Sequence, residues 1–123
     1  MNTSDVSIII PACNEAEGLT LVLPELTRLY PDAEILVIND GSTDQTEQVC
    51  KTNQVRCINR PYRMGNGAAV KTGAREATRA VLVFMDADGQ HAPQDIAALL
   101  TFMDQEHDMV VAARSNGAHA NLF

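Results

Sequence analysis

Two aspartates, Asp86 and Asp88, stand one alanine apart just after the apolar run AVLVFM, residues 80–85. On an extended backbone, residues two apart project to the same side. Two carboxylates held together repel each other, and drawing them out of water adds a further cost, unless a positive charge lies between them. A hard divalent cation, Mg2+ or Mn2+, meets that need because it prefers oxygen ligands. Gln90 repeats the spacing and adds an amide oxygen. A cation so held keeps positions for a phosphate group. The plain alternative is a polar loop with two solvated aspartates.

Other motifs compete for attention. Asp40 ends the run EILVIN, residues 34–39, beside Gly41 and Ser42. A carboxylate there either accepts hydrogen bonds from a base N–H or a ribose hydroxyl, or closes an Asx turn. Asn14 is placed to cap the helix that follows it. A calcium loop starting at Asp86 needs glycine sixth and glutamate twelfth, but those positions hold His91 and Ala97. In GNGAAVKT, Gly65, Lys71 and Thr72 match a P-loop, yet Val70 fills the second glycine position, where a branched side chain blocks close phosphate approach. Val70 breaks a dinucleotide fingerprint in the same way. Lys71 and Arg75, one helical turn apart, either reach an anion or form a solvated face. Cys13 has no histidine beside it in sequence to activate a thiol.

The elements that must carry these groups alternate. VSIII (6–10) reads as a strand buried on both faces, stopped by Pro11. Leu19, Val22, Leu23, Leu26 and Leu29 then recur at helical spacing over 17–30, with Pro24 expected to bend that helix or mark its true start. Strand 34–39 leads to DGSTD, where Ser42, Thr43 or Asp44 can cap a helix reaching about Thr52. Strand 55–59, helix 67–79, strand 80–85, helix 92–106 (Ile96, Leu99, Leu100 and Met103 inward) and strand 108–113 follow. Such alternation predicts an α/β fold, a mainly parallel sheet with helices on both faces and right-handed crossovers. Ligands in such folds bind beyond the carboxyl ends of the strands. PACNE, NDGS and DADGQ would converge there.

The chain has 123 residues, 46% of them hydrophobic, and reads as one domain, 1–123. Its net charge of −7 argues against a general affinity for nucleic acid or anionic lipid. The charge is uneven, however: Arg56, Arg60, Arg63, Lys71, Arg75 and Arg79 crowd into one region, as a solvated face or a local field for an anion. The three cysteines lack metal or disulfide spacing, which suits a reducing cytoplasm, and Cys50 and Cys57 are expected to pack as small hydrophobes. No signal-peptide pattern opens the chain, and no apolar run approaches the ~20 residues that span a bilayer.

Taken together, IIIPACNEAEGL, VINDGSTDQT, GNGAAVKTG and VFMDADGQH resemble glycosyltransferase family 2, and within it the polyprenyl-phosphate branch of dolichol-phosphate mannosyltransferase-like enzymes. The resemblance covers about Val6 to Arg114. It implies a GT-A fold, a GDP- or UDP-hexose donor, Mg2+ or Mn2+, and inverting transfer to a polyprenyl phosphate at the cytoplasmic face of the membrane. By position it implies a nucleotide-sugar pocket at Pro11, Cys13, Glu15, Ile38 and Asp40, continued by Asp86, Ala87 and Asp88. Lys71 is the candidate cation for the donor's phosphates. Asp86, Asp88 and Gln90 would hold the metal, and Asp88 and Arg114 would act at the reacting phosphates. Cys13 stands where the family often has an aromatic that stacks on the base, and Asn39 where it often has aspartate. Family catalytic domains continue well past Arg114, so the domain is expected to be incomplete at its C-terminal side. The alternative is a non-catalytic nucleotide-sugar-binding module that associates through an exposed sheet edge.

Overall fold

The computed structural model describes residues 2–88, 93–102 and 109–111. Five strands, β1 (Val6–Ala12), β2 (Glu34–Asp40), β3 (Arg56–Arg60), β4 (Val81–Phe84) and β5 (Met109–Val111), form one sheet in the order β3-β2-β1-β4-β5. All neighbouring pairs are parallel. Between them run α1 (Ala16–Leu29), α2 (Thr46–Thr52), α3 (Asn66–Glu76) and α4 (Asp95–Phe102). The chain therefore winds outward from β1 to β3, then returns to the other side of β1 with β4. That reversal opens a crevice beyond the carboxyl ends of β1 and β4.

Side chains two apart on a strand share a face, and this divides the core in two. Ile8, Ile10, Val37 and Val83 pack with Leu19, Leu23 and Leu26 of α1, Cys50 of α2 and Ile96 of α4. Ile9, Leu36, Ile38 and Phe84 pack on the opposite face against Ala69 of α3. Tyr30, just past α1, ties α1 to α4 on the first of these faces: its buried hydroxyl donates to the Pro93 carbonyl at 2.8 Å and accepts from the Ala97 N–H at 3.0 Å. Met103 of the expected inward set lies outside the described residues.

Several expected boundaries moved. Pro11 does not stop β1, which continues to Ala12 with Pro11 opposite Ile38. The Ile9 carbonyl accepts from Met85 on the β4 side. By strand alternation, the N–H that Pro11 lacks would have faced the same side, beyond the end of β4, so no ladder bond is lost. Pro24 does not mark the start of α1, which begins at Ala16 and runs through it. Both Pro24 and Thr20, whose carbonyl loses its donor, are exposed, so water can satisfy that carbonyl. Helix α3 ends at Glu76 rather than near Arg79. Past it, the Thr78 N–H donates to Glu34 and the Arg79 N–H to the Ser7 hydroxyl, tertiary partners that replace the next helical turn.

Asn14 does not cap α1. With φ at +55° it turns back, and its side-chain oxygen accepts from the backbone N–H groups of Thr43 and Asp44. Asp44 in return accepts from the first N–H of α1, that of Ala16, and from Thr46 at the start of α2. The loops after β1 and β2 thus tie each other down at the rim of the crevice. These bonds outweigh the desolvation that would raise the Asp44 carboxyl and hold it below the ordinary carboxylate range.

Candidate functional site

A cavity of about 220 Å³ lies in the crevice, lined by Pro11, Ala12, Cys13 and Glu15 from the end of β1, Asp40 from β2, and Asp86, Ala87 and Asp88 after β4. Arg63, Asn66 and Ala69 close the α3 side. Of the residues expected at a donor site, seven therefore share one wall system. Asp86 and Asp88 are half-buried while Ala87 between them is buried, so the two carboxylates face the same space although β4 has already ended at Phe84.

What seats this acidic segment is a glycine. A Cβ on Gly18 of α1 would lie 2.7 Å from the carbonyl carbon of Asp88 and clash with the Ala87 carbonyl oxygen. Only the absence of a side chain lets α1 pack directly on the backbone that carries both aspartates. A second glycine works alike across the cavity. Gly41, with φ at +72°, lies against the backbone of Tyr62 and Arg63, where a Cβ would come within 2.7 Å of the Tyr62 carbonyl carbon.

Asp40 serves the loop as well as the cavity. Its carboxylate accepts from the N–H of Met64 at 2.8 Å and of Gly65 at 3.0 Å, the residues that lead into α3. The Arg60 Nε lies 3.5 Å from the same carboxylate, with both side chains 6% exposed. Asp40 does not close an Asx turn: Asn39 takes that part, accepting from the Ser42 N–H, while the ligand reading of Asp40 stays open because a carboxylate offers about four acceptor positions.

The electrostatics of the cavity are those of crowded acids. Burial and then the nearby charges of Asp88, Asp44 and Asp86 push the Glu15 carboxyl above its ordinary value. A cation between Asp86 and Asp88 would relieve this repulsion, so the donor set fits a hard divalent ion. Among the described residues no group of three or more such side chains is spaced to hold an ion alone. The two aspartates would thus share it with diphosphate oxygens and water, a habit of Mg2+. Gln90, the expected third contact, and Arg114 lie outside the described residues.

Two expected residues are elsewhere. Ile38 is fully buried under α3, and Lys71 lines a separate groove with Arg60 and Arg75. Conversely, Arg63 and Asn66 line the cavity without having been singled out for it. Arg63 belonged to the recognised basic cluster, but only the fold of the 61–65 loop aims it here. The three cysteines are free thiols, with Cys50 buried in the core and Cys57 packed against it. No helix among the described residues is long and apolar enough to cross a membrane.

An open parallel sheet with an acidic crevice at the reversal of strand order defines a doubly wound α/β protein, the class in which ligands bind beyond the carboxyl ends of the strands. The chain belongs to glycosyl transferase family 2, whose pattern matches residues 7–120. It is 35% identical over 121 residues to the polyprenol monophosphomannose synthase of Mycolicibacterium smegmatis, covering 91% of this chain and 46% of that protein. It is 33% identical over 115 residues to the dolichol-phosphate mannosyltransferase of Pyrococcus furiosus, covering 89% and 33%. Among solved structures, the Mycobacterium tuberculosis glucosyl-3-phosphoglycerate synthase in complex with Mn2+, UDP and its product superposes with a TM-score of 0.69 at 26% identity, over 78% of this chain and 38% of that one. The fold is accordingly of the GT-A type. The chain spans less than half the length of these relatives.

Proposed function

We propose that this chain forms the donor-binding part of a metal-dependent, inverting glycosyltransferase that moves a hexose from GDP or UDP to a polyprenyl phosphate. The observation that carries this reading is the convergence of Asp40, Asp86, Asp88 and Arg63 on one cavity at the strand-order reversal. Relatives named for polyprenol and dolichol phosphate acceptors support the acceptor class. A relative crystallised with Mn2+ and UDP-glucose supports the metal and the donor.

In this reading Asp86 and Asp88 hold the cation, with Gln90 as a third contact. The bound cation supplies Lewis acidity that stabilises the departing nucleoside diphosphate. Pro11, Cys13 and Asp40 border the nucleoside, with Ile38 supporting that wall from beneath. Glu15 borders the same pocket, and Arg63 offsets the charge of the diphosphate. Arg114 orients the acceptor phosphate. A phosphate oxygen of the acceptor attacks the anomeric carbon from the side opposite the diphosphate. The new carbon–oxygen bond forms as the old one breaks, and the configuration inverts. The acceptor is already anionic, so no strong general base is required. The reaction belongs at the cytoplasmic face of the membrane, where both substrates meet.

The test is to incubate the chain with Mn2+, labelled UDP-glucose or GDP-mannose, and undecaprenyl phosphate. Lipid-linked hexose is the expected product. Donor binding without product would favour the non-catalytic module, with the β3 edge as its association surface. Neither binding nor product would overturn both readings.

A further inference from the structure

A second groove, of about 390 Å³, is lined by Arg60, Met64, Ala68, Lys71, Thr72 and Arg75. No carboxylate is among these residues, in a chain whose net charge is −7. Elsewhere most described cations are engaged: Arg28, Lys51 and Arg56 form ion pairs, Arg79 bonds backbone carbonyls, and Arg63 lines the donor cavity. Lys71 and Arg75 are exposed on one face of α3 and, among the described residues, form no ion pair. Like charges one turn apart destabilise a helix when nothing lies between them.

The base of the groove carries the more telling feature. Arg60 is 9% exposed, and its Nη1 is buried with no hydrogen-bond acceptor. A buried donor of a charged group left without an acceptor is unfavourable and uncommon in folded proteins. Its Nε is engaged by Asp40, so the guanidinium is fixed in place rather than free to swing out to water. Beside it, Tyr62 and Met64 are the large apolar side chains left exposed on this loop, at 64% and 49%. Two exposed cations without ion pairs, Lys71 and Arg75, over a base formed by the Asp40-paired Arg60 and next to exposed apolar side chains, match a phosphate group presented at an apolar boundary.

We propose that this groove is an anion site that binds the phosphate of an anionic phospholipid headgroup, with Tyr62 and Met64 entering the interfacial layer. The site is distinct from the donor cavity and does not depend on the transfer reading. The net negative charge of the molecule opposes an anionic membrane, but only contacts within a Debye length of about 8–10 Å act strongly at moderate salt. Binding is therefore local, oriented and salt-sensitive.

The test is co-sedimentation of the whole chain with vesicles of phosphatidylcholine alone or with phosphatidylglycerol added, at low and high salt. Binding is expected only with phosphatidylglycerol and to weaken with salt. The pair Lys71→Ala and Arg75→Ala should lower it about thirty-fold, at about 1 kcal/mol per basic residue near such a surface. Both side chains are exposed, so an unchanged melting temperature will show that this variant folds. Met64→Ser should weaken vesicle binding while leaving any response to inorganic phosphate intact. Equal binding to both vesicle types, or no effect of the double substitution, would overturn the proposal. Inorganic phosphate shifting the amide resonances of 64–75 without vesicle binding would assign the groove to a free anion and also overturn the lipid assignment.

Discussion

Gly18 and Asp88 touch through backbone: the hydrogen of Gly18 faces the Asp88 carbonyl carbon where a Cβ would come within 2.7 Å. The helix after β1 thus sets the height of the acidic segment after β4. Gly18→Ala should push residues 87–88 outward, costing about 1–3 kcal/mol of stability as overpacking against backbone. Donor binding in the presence of Mn2+ should fall with it. A melting curve and a calorimetric titration on the same sample check both, and retained donor affinity would contradict the positioning role.

Asp88→Asn keeps the shape of the segment but removes one charge from the cation's donor set. Outer-shell partners of metal ligands are typically worth 10–100-fold, so a direct ligand should cost at least about a hundredfold in Mn2+-dependent donor affinity. Isothermal titration with and without Mn2+ reads this directly. Unchanged affinity would remove Asp88 from the metal site.

Arg63→Ala tests a residue that only the folded loop brings to the cavity. A charge-assisted bond to the donor diphosphate is worth about 1.5–3 kcal/mol, so donor affinity should drop by roughly ten- to a hundredfold. The backbone bonds from Met64 and Gly65 to Asp40 do not involve its side chain, and the melting temperature should hold.

Glu15 has its pKa raised, by burial and then by Asp88, Asp44 and Asp86, so ionising it is less favourable in the folded state than in the unfolded chain. That penalty is present at neutral pH. It fades as pH falls through the folded value and is gone below the unfolded value near 4.5. Glu15→Gln should therefore raise the melting temperature at neutral pH without divalent cation, and the gain should vanish in acid. Added Mn2+ should narrow the same gap. Melting temperatures across a pH series, with and without Mn2+, provide the check.

Glu34 shows the opposite sign. Burial alone would raise its pKa, but hydrogen bonds from Ser7 and Thr78 and the charge of Arg56 outweigh it and lower the value. Its stabilisation is present above the unfolded value near 4.5 and is lost as pH falls through the folded one. Glu34→Ala leaves the buried Ser7 hydroxyl without this acceptor and should cost about 1–3 kcal/mol at neutral pH. Urea denaturation at neutral and acid pH should show the gap closing in acid.

The strand–helix alternation, the parallel sheet and the clustering of PACNE, Asp40 and the Asp86–Asp88 segment at one edge were legible from periodicity, because burial on both faces demands unbroken apolar runs. The loop chemistry was less so. Asn14 looked like a helix cap from its neighbours, yet its partners lie in the next loop, 29 and 30 residues away. Pro11 looked like a strand stop and Pro24 like a bend or helix start from local rules, yet each falls inside its element where the missing N–H costs little.

The sequence by itself settled the fold class and the acidic character of the crevice, since these follow from patterns local to each segment, and its four motifs carried the resemblance that pointed to the family. Which cations face which anions was settled by packing. Arg63 reaches the cavity, Lys71 turns to a second groove, and Arg60 is held against Asp40 with one nitrogen unmatched. Side-chain direction at loop and helix-end positions depends on contacts between segments distant along the chain, and no spacing along a single segment encodes them.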